Sequence, residues 1–510
     1  MRYLFGFLCV CALGVMPLVG CSETTGDGGS GGTAGDGGSG GTGGGGGTGG
    51  MPECQDPEDC YDANDCTDDT CADGTCEYTR LADGTACDRG NECTAGVCAD
   101  GECDATPVED GTACGGGQFA PPGFCVAGEC RGTCETAQEC DDLNDCTADA
   151  CTPIDGGAVC DNTPVADETS CAGGMCQAGA CALSGTVLPC SEQGIRNAIA
   201  VGGGPYTFAC SGPTTVEVEA PFIINNDVIL DGEGNLTVDG NDSDSLFSNE
   251  NTTELHGLTV IRRLGVGIEN DGTLTLMNSA VSGNNNPNPE GAQGIENRGT
   301  LTLMNSTVSG NDTWGGIHNY GIMTLTNSTV SDNACSVDCE GGGIRNEGTM
   351  TMTNSTVSGN TSDRDGGGII HARDGTLTIV NSTVSGNIAM LGGTAIAVEG
   401  TMILTNTLID GTCTNSVTSN GHNIESPGNT CGFDPDGTDQ VDVTEGELNL
   451  GELADNGGPT MTHEPGPGSA AIDAIPGDAC EVTEDQRGQP RPAGTTDPKR
   501  CDVGAFEVQP

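Results

Sequence analysis

Trp314, His318 and Tyr320 fall within one seven-residue stretch of a 510-residue chain that holds a single tryptophan and 3% aromatics. Aromatic rings stack on sugars, so these three are the glycan-binding candidates of the sequence. A second set consists of oxygen ligands. Asp62, Asn64, Asp65 and Asp69 recur as Asp142, Asn144, Asp145 and Asp149. Carboxylates and amides at this spacing suit Ca²⁺, a hard cation. Neither stretch has the glycine and distal glutamate of a helix-loop-helix calcium site, and Asx turns between disulfides are the other reading.

A repeat must position the aromatic set. The chain reads GTLTLMNSAVSGN (272–284), GTLTLMNSTVSGN (299–311), GIMTLTNSTVSDN (321–333), GTMTMTNSTVSGN (348–360), GTLTIVNSTVSGN (375–387) and GTMILTNTLIDG (400–411). A unit this short cannot bury its apolar side alone and must stack on copies of itself. Leu301 and Leu303, Met350 and Met352, and Leu377 and Ile379 alternate with threonine, the period of a strand with one face in and one out. A single valine follows (Val308, Val330, Val357, Val384), then a loop of variable length. A third inward position closes the unit: Ile317, Ile344 and Ile369, each after a glycine run.

These features predict an all-β fold, a right-handed parallel β-helix, with roughly ten coils between residues 205 and 450. The repeating Asn278, Asn305, Asn327, Asn354, Asn381 and Asn406 are expected to form a ladder of stacked amides at an inner bend. Their Asn-Ser-Thr context also matches the N-glycosylation acceptor pattern; the ladder explains why every unit carries one at the same place. Gly257 takes the Asn position one unit earlier, in TELHGLTV (253–260). A short helix at 191–200, with Ser191 as N-cap and Ile195 and Ala198 facing in, is expected to cover the first coil. Glu269, Glu296, His318 and Arg345 follow the third inward position and read as an exposed ladder of opposite charges.

Composition narrows function. The formal charge is −60 with one lysine, Lys499. Phosphate binding needs clustered Lys and Arg, so nucleic acid is excluded as a partner. Cysteines number 31; setting aside Cys9, Cys11 and Cys21 leaves an even 28. Twenty of them lie between Cys54 and Cys181 with repeating gaps, as in DGTAC at 83–87 and 110–114. No histidine accompanies them, which favours disulfides over zinc in an exported segment. Pairing inside that region is not deducible. Outside it, Cys190–Cys210, Cys335–Cys339, Cys413–Cys431 and Cys480–Cys501 are expected local pairs. The segment resembles Cys-rich repeats of secreted bacterial surface proteins.

Residues 1–21 read as a targeting segment, and Leu18-Val19-Gly20-Cys21 resembles the lipobox of bacterial lipoproteins. The resemblance implies cleavage before Cys21, acylation of its thiol and new amino group, and, with Ser22 following, the outer membrane. Residues 22–52 are a Gly-rich tether and 53–183 the Cys-rich region. The β-helix takes 184–450 and a C-terminal cap 451–510. In that last segment, LGELADNGGPTMTHEPGPGSAAIDAI (450–475), DQRGQPRP (485–492) and DVGAFE (502–507) resemble the choice-of-anchor Q domain of bacterial surface β-helix proteins. The coils also resemble the repeats of polymorphic outer membrane proteins. His463, Asp473, Asp485, Arg487, Arg491 and Asp502 have the look of a catalytic set but are expected to be an ion-paired cap over the last coil.

The resemblance implies a surface-displayed, monomeric protein anchored to the membrane by its N-terminal lipid. Its expected role is structural, adhesive or glycan-binding, with polysaccharide or surface proteins as partners and Ca²⁺ as the one cofactor considered. The alternative is a polysaccharide lyase or hydrolase, chemistry that other β-helices perform with paired acids or an Arg or Lys base. Arg262, Arg263, Arg345, Arg364 and Arg373 are available as bases. However, the coils hold no lysine and no repeated Asp pair on one strand face, and Gly421-His422-Asn423 lacks the final glycine of the pectin-hydrolase motif.

Overall fold

The computed structural model describes residues 60, 64–72, 75–87, 93–115, 122–127, 129–154, 157–240, 245–261, 265–284, 293–336, 338–373, 375–492 and 499–510. Cys21, Asp62 and the tether lie outside these residues. The chain divides into two compact units. The smaller takes residues up to Asp88 together with Gly96–Asp104, and the larger takes Arg89–Ala95 and everything from Ala105 onward.

Alternating Thr and Leu along 273–277, 300–304 and their equivalents produces a parallel β-solenoid, as period two requires. Each coil runs through a first face (for example Thr300–Met304), a second (Thr307–Ser309), in four coils a short third (Asp312–Thr313), and a fourth (Ile317–Asn319). First and second faces belong to one sheet of 19 strands, and the fourth face is a sheet of eight. Among the described residues eight turns therefore carry a fourth-face strand, fewer than the ten expected. The chain at 203–217 and 418–440 pairs with the sheet but adds no fourth-face strand.

Register matches the sequence pattern. Leu274, Leu301, Met323, Met350, Leu377 and Met402 stack in one inward column. All are buried, at about 1.5–3 kcal/mol for each side chain withdrawn from water. The helix Glu192–Val201 closes the first coil. Ser191 accepts the Gly194 N–H at 3.2 Å, and Ile195 and Ala198 are fully buried in the solenoid core. Phe433 and Cys431 belong to the same core at its other end.

The asparagine ladder is real but sits elsewhere. Asn278, Asn305, Asn327, Asn354, Asn381 and Asn406 occupy the bend between first and second faces with φ between 46° and 52°. Left-handed backbone costs most residues about 1–2 kcal/mol, and Asn and Gly tolerate it best. Gly257, at φ 57°, stands at the same bend one coil earlier. This bend requirement, and no amide stack, explains the column. The one bond between these side chains among the described residues joins Asn406 to Asn381 at 3.4 Å.

Two other columns carry the amide stack. At the end of the fourth face, Asn249, Asn270, Asn297 and Asn319 each donate to the next amide at 2.6–2.7 Å, the last to Asn346, which meets His371 at 3.0 Å. At the end of the second face, Asn284, Asn311, Asn333 and Asn360 do the same at 2.5–2.9 Å, the last to Asn387. Between them Ser279, Ser306, Ser328, Ser355 and Ser382 form a hydroxyl ladder: from Ser306 on, each Oγ accepts the preceding serine's N–H at 3.1–3.2 Å, and Ser279 Oγ accepts the Leu258 N–H at 3.2 Å. Every one of these Asn and Ser residues is buried.

The C-terminal segment is also placed differently from expectation. It lies along the second face of several coils and does not cap the last one. Gln486 donates to Thr329 Oγ1 at 2.9 Å and accepts from Thr356 Oγ1 at 2.7 Å. His463 pairs with Ser358 at 2.8 Å, Ala505 N–H reaches Thr383 Oγ1 at 3.0 Å, and Asn406 donates to Ala479 O at 3.0 Å. Thr356 is consequently fully buried, while Thr307, on an uncovered coil, is only half-buried.

The strap's charges are internal. Asp485 binds Arg487 at 2.7 Å, and buried Arg491 faces Glu507 at 3.6 Å and donates to Asp502 O and Gly504 O at 3.0 Å. Asp502 accepts from the N–H groups of Asp473 and Val508 at 2.7 Å each.

Disulfides staple the rest. All four expected pairs, Cys190–Cys210, Cys335–Cys339, Cys413–Cys431 and Cys480–Cys501, are formed. In the smaller unit Cys60–Cys76, Cys66–Cys98 and Cys87–Cys103 are joined, with separations of 16, 32 and 16. The larger unit continues the alternation with Cys93–Cys125 and Cys114–Cys130, separations 32 and 16. The bridges Cys87–Cys103 and Cys114–Cys130 each tie the two outer strands of a three-stranded sheet.

Candidate functional site

On the fourth face, the residue after each inward Ile points outward. Glu269, Glu296, His318 and Arg345 are paired in register, but they do not form the expected exposed ladder of opposite charges: His318 is buried, and Glu269 and Glu296 are neighbours of like charge. The residue after each ladder Asn makes a second outward column. Arg298, Tyr320 and Glu347 each donate a backbone N–H at 2.8 Å to the ladder Asn of the previous coil. Sequence reasoning missed Arg298 and Glu347. Aligning IENRG, IHNYG and IRNEG (295–299, 317–321, 344–348) would have found them.

The two columns converge on His318 and Tyr320. Their rings lie 4.0 Å apart at 30°, and the Arg298 guanidinium stands 6.0 Å from the tyrosine ring. His318 is 6% exposed. Burial lowers its pKa to about 4, so at neutral pH it is uncharged and Nε2–H donates to Glu347 Oε1 at 3.1 Å. Arg345 Nε donates to the same oxygen at 2.7 Å. Burial alone would raise the Glu347 pKa, but the hydrogen bonds from Arg345 and His318 hold it below the usual carboxylate range. Burial, then the charges of Glu347 and Glu296, push the Tyr320 phenol up. Glu296 is bound by Arg298 and by Gln293 at 2.8 Å.

Tyr320 is 44% exposed, so its ring is open while its support is fixed. Trp314, at the preceding bend, makes a backbone bridge with Cys335 and is 42% exposed. The arrangement offers a ring face rimmed by guanidinium donors and carboxylate acceptors. His318 and Glu347 are held to each other by the 3.1 Å hydrogen bond.

The oxygen-ligand sets are used in turns. Asn64 accepts the Cys66 N–H at 3.0 Å and donates to Gly101 O at 3.0 Å. Asn144 repeats this with Cys146 at 3.0 Å and Gly179 at 2.9 Å. Asp142 accepts from Asn144 N and Thr147 Oγ1, while Asp145 accepts from Ala172 N, so the two carboxylates serve different loops. Asp149 keeps a raised pKa, first through burial and then through the charges of Asp142 and Asp141. Asp69 pairs with Tyr78 across its hairpin, and Asp65 O faces Cys98 Sγ at 3.9 Å. His463 also has a structural role. Burial lowers its pKa; uncharged, it donates from Nδ1 to Gly451 O at 2.7 Å.

Comparison with known proteins bears on the solenoid. A family model described as "Hyphally regulated cell wall protein N-terminal" matches residues 198–409, less than half of the chain. No curated protein matches. Among solved structures, pectate lyase Pel9A is similar over 60% of this chain and 81% of that one, at 13% identity and a TM-score of 0.35. A likeness that slight carries no argument about activity. No helix among the described residues is long and apolar enough to cross a membrane.

Proposed function

We propose that this is a cell-surface β-helix protein that binds glycan through its fourth face, without catalysis, as part of an adhesive or structural role. The observation that carries this reading is the solvent-open Tyr320 ring, backed by His318 and rimmed by Arg298, Glu296, Arg345 and Glu347. Aromatic faces take the apolar face of a sugar ring, and the charged rim takes its hydroxyls. A cell-wall family model over the same coils supports a surface location.

In this reading a lipid on Cys21 holds the protein to the outer membrane. The C-terminal strap is then the choice-of-anchor Q type segment, fixed to the coils. The test is a glycan array on the full chain and its Tyr320→Ala variant. Binding is expected to fall about tenfold for the variant, since losing one aromatic contact costs about 1.4 kcal/mol. Equal binding by both forms would remove the site. New unsaturated or reducing ends released from uronate polymers would replace the binding role with an enzymatic one.

A further inference from the structure

The second face carries chemistry that the glycan reading does not use. There Ser309, Ser331, Ser358 and Ser385 stack in one column. Where the strap crosses this column, His463 meets Ser358 from 105 residues further along the chain, with Nε2 2.8 Å from Oγ. The ring stands on strap strand Thr462–Pro465, which pairs with Leu450–Ala454. On its other side Nδ1 is 2.7 Å from Gly451 O. A carbonyl only accepts, so Nδ1 carries the hydrogen and Nε2 is a bare acceptor. Ser358 therefore donates its hydroxyl hydrogen to Nε2. Burial keeps the ring neutral, while the Gly451 hydrogen bond and then the charges of Asp410 and Glu452 favour its protonated form.

A serine hydroxyl bonded to an imidazole that a third group orients is the arrangement of an activated nucleophile. The same bond would also dock a strap, so two further observations decide between the roles. First, Ser358 and His463 both line a cavity of about 470 Å³, which a docking contact does not require. Second, a backbone donor stands free beside the serine. Gly283, Gly310 and Gly359 each donate their N–H to a serine carbonyl of the next coil at 3.2–3.4 Å. The equivalent Gly386 N–H makes no hydrogen bond to the described residues. Gly386 lines the same cavity, and a Cβ added to it would lie 3.8 Å from Ser358 Oγ and meet nothing closer.

The lining selects the substrate class. Asp332, Asp410, Glu445 and Glu452 bring four carboxylates to the cavity, and its lining holds no lysine or arginine. Like charge turns away an anionic ester and helps expel a carboxylate product. Leu453 and Met461 supply an apolar wall, suited to a short acyl chain.

We propose that this cavity hydrolyses short, uncharged carboxylic esters, with Ser358 as nucleophile, His463 as general base and the Gly386 N–H as donor to the oxyanion. Ser358 Oγ bonds to the ester carbonyl carbon while its proton passes to His463 Nε2, and the carbonyl oxygen takes the negative charge. The bond to the alcohol oxygen then breaks, and the alcohol leaves with the proton from Nε2. Water attacks the acyl-serine and gives its proton to Nε2. Ser358 Oγ leaves with that proton and the carboxylic acid is freed. No glycosidic bond is cut, so this activity and the fourth-face glycan site stand or fall separately.

The test follows p-nitrophenol release from p-nitrophenyl acetate, above the uncatalysed rate, by the oxidised full chain and by Ser358→Ala and His463→Gln. Ser309→Ala, in the same column on an uncovered coil, is the control. The first two variants are expected to lose at least about a hundredfold in rate, and the control to match the full chain. A neutral fluorophosphonate should label the full chain, with the adduct on Ser358 by peptide mass spectrometry. That measurement needs no variant and keeps the test open should Ser358→Ala loosen the strap. The anionic p-nitrophenyl succinate should turn over about tenfold more slowly than the acetate. No turnover by the full chain, an adduct on another residue, full activity in Ser358→Ala, or equal rates for the two esters would overturn the proposal.

Discussion

Asn305 and Asn311 lie six residues apart in one coil, yet they should respond oppositely to substitution. Asn311 is fully buried. Its Oδ1 accepts from Asn284 N at 3.1 Å and Nδ2 at 2.5 Å, and its Nδ2 donates to Asn333 Oδ1 at 2.8 Å and Val281 O at 3.3 Å. Asn311→Ala leaves at least two buried groups without partners, at about 1–3 kcal/mol each. The expected loss is therefore about 3–5 kcal/mol. Asn305 has φ 51°, where glycine is unstrained. Asn305→Gly relieves about 1 kcal/mol of left-handed strain and gives back a similar amount in unfolded-chain entropy, so stability should change by less than about 1 kcal/mol. Urea unfolding of the oxidised full chain followed by circular dichroism measures both. Equal losses, or a larger loss at Asn305, would show that the ladder is where the bend asparagines stand and would refute the reasoning.

Three further outcomes are expected. His318 has its pKa lowered to about 4 from an ordinary 6.5, so the unfolded chain takes up a proton first as pH falls. Its stabilising contribution is full above pH 6.5 and is lost as pH drops from 6.5 to 4, by about 3 kcal/mol. His318→Gln should flatten urea midpoints across that window; an unchanged pH profile would contradict it. Gln486→Ala leaves the buried hydroxyls of Thr329, Thr356 and Thr460 short of partners. It should release the strap by about 2–4 kcal/mol, seen as faster amide exchange in 451–510 with the coils protected; uniform exchange would count against lateral docking. Cys21→Ala should move the protein from the membrane pellet to the soluble fraction, and retention in the pellet would dismiss the lipid.

The solenoid was legible because period-two Leu and Thr, repeated with intact spacing, admit one register: any slip turns Leu303 and Leu325 outward. The helix at Ser191 was legible from its cap and its inward Ile195 and Ala198. The ladder was misplaced for a chemical reason. Asparagine serves both left-handed bends and amide stacks, and four successive coils carry it at all three positions. Asn305 sits in the cleanest block, so it drew the role that belongs to Asn297 and Asn311. The strap's resting place had no local signal. Gln486 and His463 find partners more than 100 residues away, on hydroxyls that look solvent-facing in the repeat, and Thr460 donates to the carbonyl of Asn327. His318 and Tyr320 were visible as neighbours in one strand. Arg298 and Glu347 come from the adjacent coils, and only stacking brings them together.

Trp314 is the single tryptophan of the chain and shares a coil with His318 and Tyr320, so its fluorescence reports on the proposed glycan site directly. Titration with an oligosaccharide that binds the full chain should shift Trp314 emission saturably, with an affinity about tenfold weaker in Tyr320→Ala. Saturable binding that leaves Trp314 emission unmoved and is indifferent to Tyr320→Ala would place the sugar elsewhere and contradict the account.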